Sequence, residues 1–429
     1  MNAMFRRRTV LGAGVGTLAA PTLARSQAAT VNLTVWSWVP RLNQQTEMFE
    51  RANPNVRVQV VNAGQSLAQH MRLRNALRAG TGAPDLAHLE YFMLPSFQLA
   101  NALVDLAPHG AAALRDQYVG WTWDQVSDGG RVWAMPGDSG PLGLIYRGDV
   151  FGRAGIEPPR TWAEFGEAAL RFRRANPDAF LTNLAFASGN WVNALFWQAG
   201  SRPFEVDGTN IRIAVNDAPA RRVCEFWQPL IAAGAVDTKP IFTTEWYASL
   251  DAGRYASWIS AAWGPLFLSQ FVRQSAGQWR VSAIPQWTPG GRVSGNWGGS
   301  TLAVIRQTRF PREAAALAMF LSNNRESANL FIRDQFLFPV LNDLLSSEEF
   351  ASQPSAFYGN QAINRVFIES ARQVDTGYRW SPFQDYVNTQ MGNELGAAAS
   401  GGGSLVAALD RLQDNLVRYA RSQGFTVRT

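Results

Sequence analysis

Between residues 32 and 91 the chain reads strand, helix, strand, helix, strand, and no other feature constrains the fold as much. Residues 32–38 alternate apolar and polar and stop at Pro40. Residues 41–52 place Leu42, Met48 and Phe49 on one helical face, closed by Asn53-Pro54. Val56, Val58 and Val60 form the next strand. A helix over 66–79 carries Leu67, Met71 and Leu77 and ends at Gly80. A third strand, 85–89, delivers Glu90 and Tyr91 at its end. Successive strands joined through helices demand a parallel sheet with helices packed on it. Ligands of such sheets sit beyond the carboxyl ends of the strands, where Trp36, Trp38, Glu90 and Tyr91 fall.

About 400 residues after an N-terminal export-like segment exceed one hydrophobic core and predict two domains, in an α/β class. Residues 1–28 are expected to be removed. Arg6, Arg7 and Arg8 precede a small-residue apolar run, 9–24, too short and glycine-rich to span a bilayer, and Ser26-Gln27-Ala28 offers a cleavage site. Arg7-Arg8-Thr9-Val10-Leu11 resembles a twin-arginine signal; an ordinary secretion signal is the alternative. No cysteine lies near Ala28, so a lipid anchor is not expected. The segment holds four arginines and no acid, leaving 35 basic against 33 acidic residues. A nucleic-acid partner is therefore not indicated, nor is membrane insertion. Cys224 is the single cysteine, which excludes an intramolecular disulfide and a cysteine metal site. His70, His88 and His109 show no ligand spacing and read as surface or helix residues. No metal and no cofactor are expected.

Sixteen tryptophans are an unusual endowment. Trp162, Trp227 and Trp258 stand in apolar periodic runs and read as core. Trp36, Trp38, Trp191, Trp263, Trp297 and Trp380 stand among Gly, Ser, Asn or Pro, where an indole is better placed as a flat stacking surface.

Residues 130–147 form two short apolar strands around a bend. Val132 to Met135 ends at Pro136, Asp138 and Ser139 occupy the bend, and a strand from Leu142 ends Tyr146-Arg147. An acid and a hydroxyl at a bend suit a binding cleft and suit an ordinary turn equally. Downstream come Phe151, Ala154-Gly155-Ile156, Pro158-Pro159 and Thr161-Trp162-Ala163-Glu164-Phe165. The succession resembles the strand that crosses between the lobes of maltose-binding-protein-like extracellular sugar-binding proteins of ABC importers. Ala79-Gly80-Thr81-Gly82-Ala83-Pro84-Asp85 is similar to a turn of the same family; as a phosphate loop it fails, because its glycines follow a helix. A strand at 279–284, then Pro285, Gly295-Asn296-Trp297-Gly298-Gly299-Ser300 and a strand at 301–305 resemble the family's return crossing.

The resemblance runs from about Val31 to the C-terminus. It implies a two-lobed periplasmic-binding-protein fold, each lobe a mostly parallel sheet flanked by helices, with hinge strands between. The N-terminal lobe would take residues 29–138 and 298–345, the C-terminal lobe 139–297 and 346–429. It implies a periplasmic, monomeric protein without enzymatic activity that binds a carbohydrate and docks on an importer. Trp263 beside Gly264-Pro265, Trp297 and Trp36 or Trp38 would stack on the sugar. Glu90, Asp138, Ser139 and Asn190 would take its hydroxyls, with Tyr91, Trp191 and Trp380 alongside and the Gly298 and Gly299 amides facing it. Asn190 serves equally as a helix cap. Two alternatives remain. Arg379, in the 378–383 segment, would suit a glycerol phosphate or phosphodiester in the same fold. Glu90 and Asp138 would be the paired carboxylates of a secreted glycosidase.

Overall fold

The computed structural model describes residues 29–335 and 337–429. The export segment and its cleavage site lie outside them. The first lobe is built on a five-stranded sheet. Val31–Trp36 pairs in parallel with Val56–Val61 on one side and with Leu86–Glu90 on the other. Helices Asn43–Ala52 and Leu67–Ala79 make the crossovers. Ser300–Val304 then adds antiparallel to Leu86–Glu90, and Met135–Pro136 adds antiparallel beyond it. The expected parallel character thus belongs to the first three strands. Ser300–Val304 arrives from the other lobe and runs against them; Met135–Pro136, just before the chain leaves this lobe, is antiparallel to Ser300–Val304 and so runs in their direction.

The second lobe holds a four-stranded sheet in the order Trp279–Ala283, Leu142–Arg147, Tyr255–Ala261, Phe180–Thr182. Only its last pair is parallel. The helix Trp162–Ala175 starts where the sequence says it must. Thr161 accepts a bond from the Glu164 amide while Glu164 reaches back to the Thr161 amide, a complete capping box. Its buried face sets Trp162 and Phe165 edge-on to Trp227, with centroids 5.5 and 5.7 Å apart. Ser404 caps the closing helix Leu405–Ser422, which packs against Gln384–Gly401.

Three segments cross between the lobes and are tied to one another. The first, 137–141, pairs with the second at Pro141–Asn296 and with the third at Ser139–Phe338. Gly140 donates to Asn296 Oδ1 at 2.7 Å, and Trp297 donates back to the Gly140 carbonyl at 2.8 Å. Only glycine fits position 140, since a Cβ there would fall far inside contact distance of the Trp297 carbonyl oxygen. The third crossing runs through Phe338, before the boundary expected at residue 345.

Tryptophan serves the core more than expected. Seven of the sixteen, including Trp191, are sealed from solvent. His70 and His88 are also fully buried in the first lobe: His70 lies in a helix as expected, whereas His88 lies in the strand Leu86–Glu90 and is neither a surface nor a helix residue. Trp38 packs against both imidazoles at 5.8 Å. Burial holds both rings neutral, with pKa values lowered to about 3; at His70 the Arg74 charge adds to the lowering and the Asp385 charge works against it.

Candidate functional site

The end of strand Leu86–Glu90 meets the crossing segments directly. Glu90 sits opposite Ser300 in the ladder, and its amide points at His70 Nε2 at 3.4 Å. The residue is half-buried, but its Oε2 is sealed and has no hydrogen-bond partner among the described residues. Desolvation raises its pKa to about 7. The Ser66 hydroxyl pulls it down somewhat, and the Asp138 charge pushes it further up. Tyr91 follows, fully buried, its hydroxyl likewise without a partner. Its ring leans on Trp121 and reaches Gly299, where an added Cβ would lie 3.0 Å from the ring edge.

Asp138 and Ser139 lie beside these groups but are occupied. Asp138 Oδ1 accepts from the Ser300 amide at 2.8 Å and from the Ser300 hydroxyl. Burial raises its pKa to about 6, with the two Ser300 bonds working against that rise. Ser139 donates its amide to the Phe338 carbonyl at 3.0 Å and its hydroxyl to the Pro339 carbonyl at 3.5 Å. Both residues therefore bind the crossings together, a role their turn-like setting in the sequence did not reveal. The Ser300 amide, at the end of the Gly-Gly-Ser run, is spent on Asp138 for the same reason.

The aromatic wall stands across the crossing. Trp263 and Trp297 meet edge to face at 4.6 Å, and Trp263 Nε1 donates to the Trp297 carbonyl at 2.7 Å. Trp297 is 6% exposed, whereas Trp263 keeps part of its surface open. Gly264 lets the helix Gly264–Phe271 pack tightly onto Trp258 and Ser260 rather than presenting its own amide as a feature. Gly298 lies within reach of the Trp263 indole nitrogen, and both Gly298 and Gly299 take left-handed φ angles of 81° and 84°. Phe242, unremarked in the sequence, completes this group at 6.2 Å from both indoles.

Trp380 brings the two lobes together. It is 8% exposed, contacts Phe92 of the first lobe at 6.1 Å, and has an indole nitrogen without a partner among the described residues. Two further links between the lobes accompany it, Arg74–Asp385 at 2.5 Å and Trp121 Nε1 to the Ala371 carbonyl at 3.1 Å. Trp36 ends its strand half-buried, and Trp38 is turned into the histidine pair.

Three expectations are corrected here. Trp191 is 1% exposed and donates to the Ile259 carbonyl at 3.1 Å, so it is a core residue. Asn190 is not a cap. The helix Gly189–Gln198 has Ser188 at its cap position, and Asn190 Oδ1 instead accepts from Asn388 at 2.5 Å. Arg379 is exposed and folds back on the carbonyls of Thr376 and Tyr378 at 2.8 and 2.9 Å. Two open cavities, of about 910 and 790 Å³, also join residues of both lobes. One runs along Ala262, Pro265, Ile332 and Phe338, the other along Arg74, Phe97, Phe383 and Tyr419. Neither takes in the unpartnered polar atoms. Among the described residues no group of three or more His, Cys, Asp or Glu side chains is placed to hold a metal, and no helix is long and apolar enough to cross a membrane.

The arrangement offers hydrogen-bonding atoms, Glu90 Oε2, Tyr91 Oη and Trp380 Nε1, close to aromatic faces. Comparison with known proteins gives it a context. The family model described as bacterial extracellular solute-binding protein matches residues 36–327. A lactose-binding protein of Rhizobium radiobacter is 23% identical over 377 residues, covering 83% of this chain and 86% of that protein. An ABC-transporter-associated binding protein of B. animalis subsp. lactis, solved with β-1,6-galactobiose, is 26% identical with a TM-score of 0.80. The match covers 93% of this chain and all of that one. The galacto-N-biose/lacto-N-biose I-binding protein of Bifidobacterium longum superposes with a TM-score of 0.82 at 24% identity, over 94% of this chain and all of that one.

Proposed function

The chain belongs to the bacterial extracellular solute-binding proteins, and on that premise we propose that it captures a neutral saccharide between its lobes for an ABC importer. The observation that carries this reading is the pair of unpartnered polar atoms at Glu90 and Tyr91 where the strand end meets Gly298-Gly299 and the Trp263–Trp297 wall, with the unpartnered Trp380 indole nitrogen on the Phe92 side. A buried polar group without a partner costs free energy, and a sugar supplies hydroxyls for such atoms and an apolar ring face for the indoles. The protein acts as a soluble monomer in the periplasm after export through the twin-arginine-like signal. Its lobes divide near residues 138, 298 and 345.

Two other readings draw less support. A phosphorylated ligand needs a cation at the site, and Arg379 is turned outward onto its own backbone. Glycoside hydrolysis needs two free carboxyl groups, and Asp138 is engaged twice by Ser300.

A thermal-shift screen of residues 29–429 tests the proposal against galactose, lactose, arabino-oligosaccharides, maltose, polyols and glycerol phosphates. A ligand at a thousand times its Kd adds roughly 4 kcal/mol and moves the midpoint by several degrees. A shift with one class of saccharide is expected. A shift with glycerol phosphate alone, or with nothing in the panel, refutes the carbohydrate reading.

A further inference from the structure

The cavity of about 790 Å³ on the Arg74 side of the lobes has a lining that folding alone does not require. Its first-lobe wall comes from the helices Leu67–Ala79 and Leu94–Leu99 and the turn at Arg306. Leu77 lies half-buried along that wall, and Leu99 is 52% exposed. The second-lobe wall is aromatic, with the Phe383 ring 5.3 Å from Tyr419 and 5.7 Å from Phe425. Apolar surface on both lobes therefore borders one space that the lobes leave open. Among the described residues the Arg74–Asp385 ion pair is the polar link across it. Its volume falls within the range of small-molecule sites.

The charge of this lining is one-sided. Arg74, Arg78 and Arg306 stand against a single acid, Asp385, and Arg74 already holds that acid at 2.5 Å. Arg306 donates Nε to the Asn101 carbonyl at 2.8 Å and Nη2 to the Leu103 carbonyl at 2.7 Å. Those bonds fix its fork and neutralise nothing, and Nη1 has no partner among the described residues. Arg78 is exposed and makes no hydrogen bond or ion pair among them. Gln307 donates to the Leu77 carbonyl at 3.1 Å, which ties the Arg306 turn to the end of the helix that carries Arg78. Two uncompensated guanidinium groups thus share one end of a cavity whose walls are apolar, a combination that suits a carboxylate on an apolar body. We propose that this cavity is a second binding site, apart from the Glu90 and Trp263 region, and that it takes an organic anion such as an aromatic carboxylate. The first lobe supplies the charge and the second the aromatic wall, so both lobes hold the ligand.

The test titrates the intact mature protein with naphthaleneacetate, followed by ligand-observed NMR. Naphthaleneacetamide keeps the body without the charge, and acetate keeps the charge without the body. Naphthaleneacetate should saturate, the amide should bind roughly threefold or more weakly, and acetate should not saturate. Arg78→Gln on the first lobe and Gln423→Glu on the second should each weaken naphthaleneacetate roughly three- to fivefold, the scale of an ion pair at a partly open site. Both positions are exposed, so the folding midpoint should stay where it is. Arg171→Gln, exposed on the helix Trp162–Ala175 and outside the cavity, should change nothing. Absence of saturation overturns the inference, as does equal affinity for the amide or for acetate. An equal loss in Arg171→Gln also overturns it, because net charge alone would then explain the attraction. A loss in Arg78→Gln with none in Gln423→Glu overturns the role of the second lobe. None of these outcomes touches the carbohydrate reading, which the thermal-shift screen tests on its own.

Discussion

Replacing Glu90 with glutamine should make the protein more stable at neutral pH and leave it unchanged in acid. The side chain keeps its shape and loses only its charge. In the folded protein, burial raises the Glu90 pKa from 4.5 to about 7. Below about pH 4 both folded and unfolded chains hold the proton, and the site costs nothing. Between about pH 4.5 and 7 the unfolded chain releases its proton while the folded chain retains it, so wild-type stability falls as pH rises. Above pH 7 both are ionised and the cost is constant. A shift of about 2.5 units is worth on the order of 3 kcal/mol.

Urea unfolding of both proteins at each unit from pH 4 to 8 measures this. The stability of Glu90→Gln minus that of wild type should grow from zero to a plateau of about that size. The buried His70 and His88 lose stability in the opposite sense, as pH falls from about 6.5 towards 3, but they are present in both proteins and cancel in the difference. Asp138, raised to about 6 by burial, loses its proton while Glu90 is still neutral, so it too is present in both proteins and largely cancels. A difference that is flat across the range, or that grows towards acid, would show that Glu90 is ionised in the folded protein.

Trp263→Ala removes the partly open member of the indole pair and should cost roughly 1–3 kcal/mol of saccharide affinity by calorimetry; full retention would take Trp263 out of the site. Gly299→Ala should lower stability by about 1–3 kcal/mol in urea melts, because its φ is 84° and a Cβ would lie 2.9 Å from the Asp138 carbonyl oxygen. A neutral result there would mean the crossing relaxes easily. A double-mutant cycle on Arg74→Ala and Asp385→Asn should return a coupling of at most about 1 kcal/mol that shrinks in 0.5 M salt, since both side chains are more than a quarter exposed. Strong, salt-insensitive coupling would instead make this inter-lobe pair a major term in holding the lobes together.

How legible the site was depends on whether each residue's role is set by its sequence neighbours or by a distant segment. Strand and helix positions over 31–90 follow from local periodicity and turn residues, and the Thr161–Glu164 box follows from spacing alone. The position of Glu90 and Tyr91 at the end of a strand was legible from the alternation of strand and helix before them. Asp138 was not, since its partner Ser300 is 162 residues away and nothing near Asp138 announces that bond. The same holds for Trp191, whose setting of Ser, Gly and Asn describes the loop before it but not the Ile259 carbonyl that receives its indole. Loop composition predicts exposure only while nothing packs over the loop, and here the strand Tyr255–Ala261 of the same lobe does. An isolated phenylalanine before a threonine cap, Phe242, carries no sequence signal either, and only its ring contacts place it beside Trp263 and Trp297. What local sequence withholds here is the set of contacts made between lobes and across the crossing segments, and ligand selection in such a protein depends on those contacts.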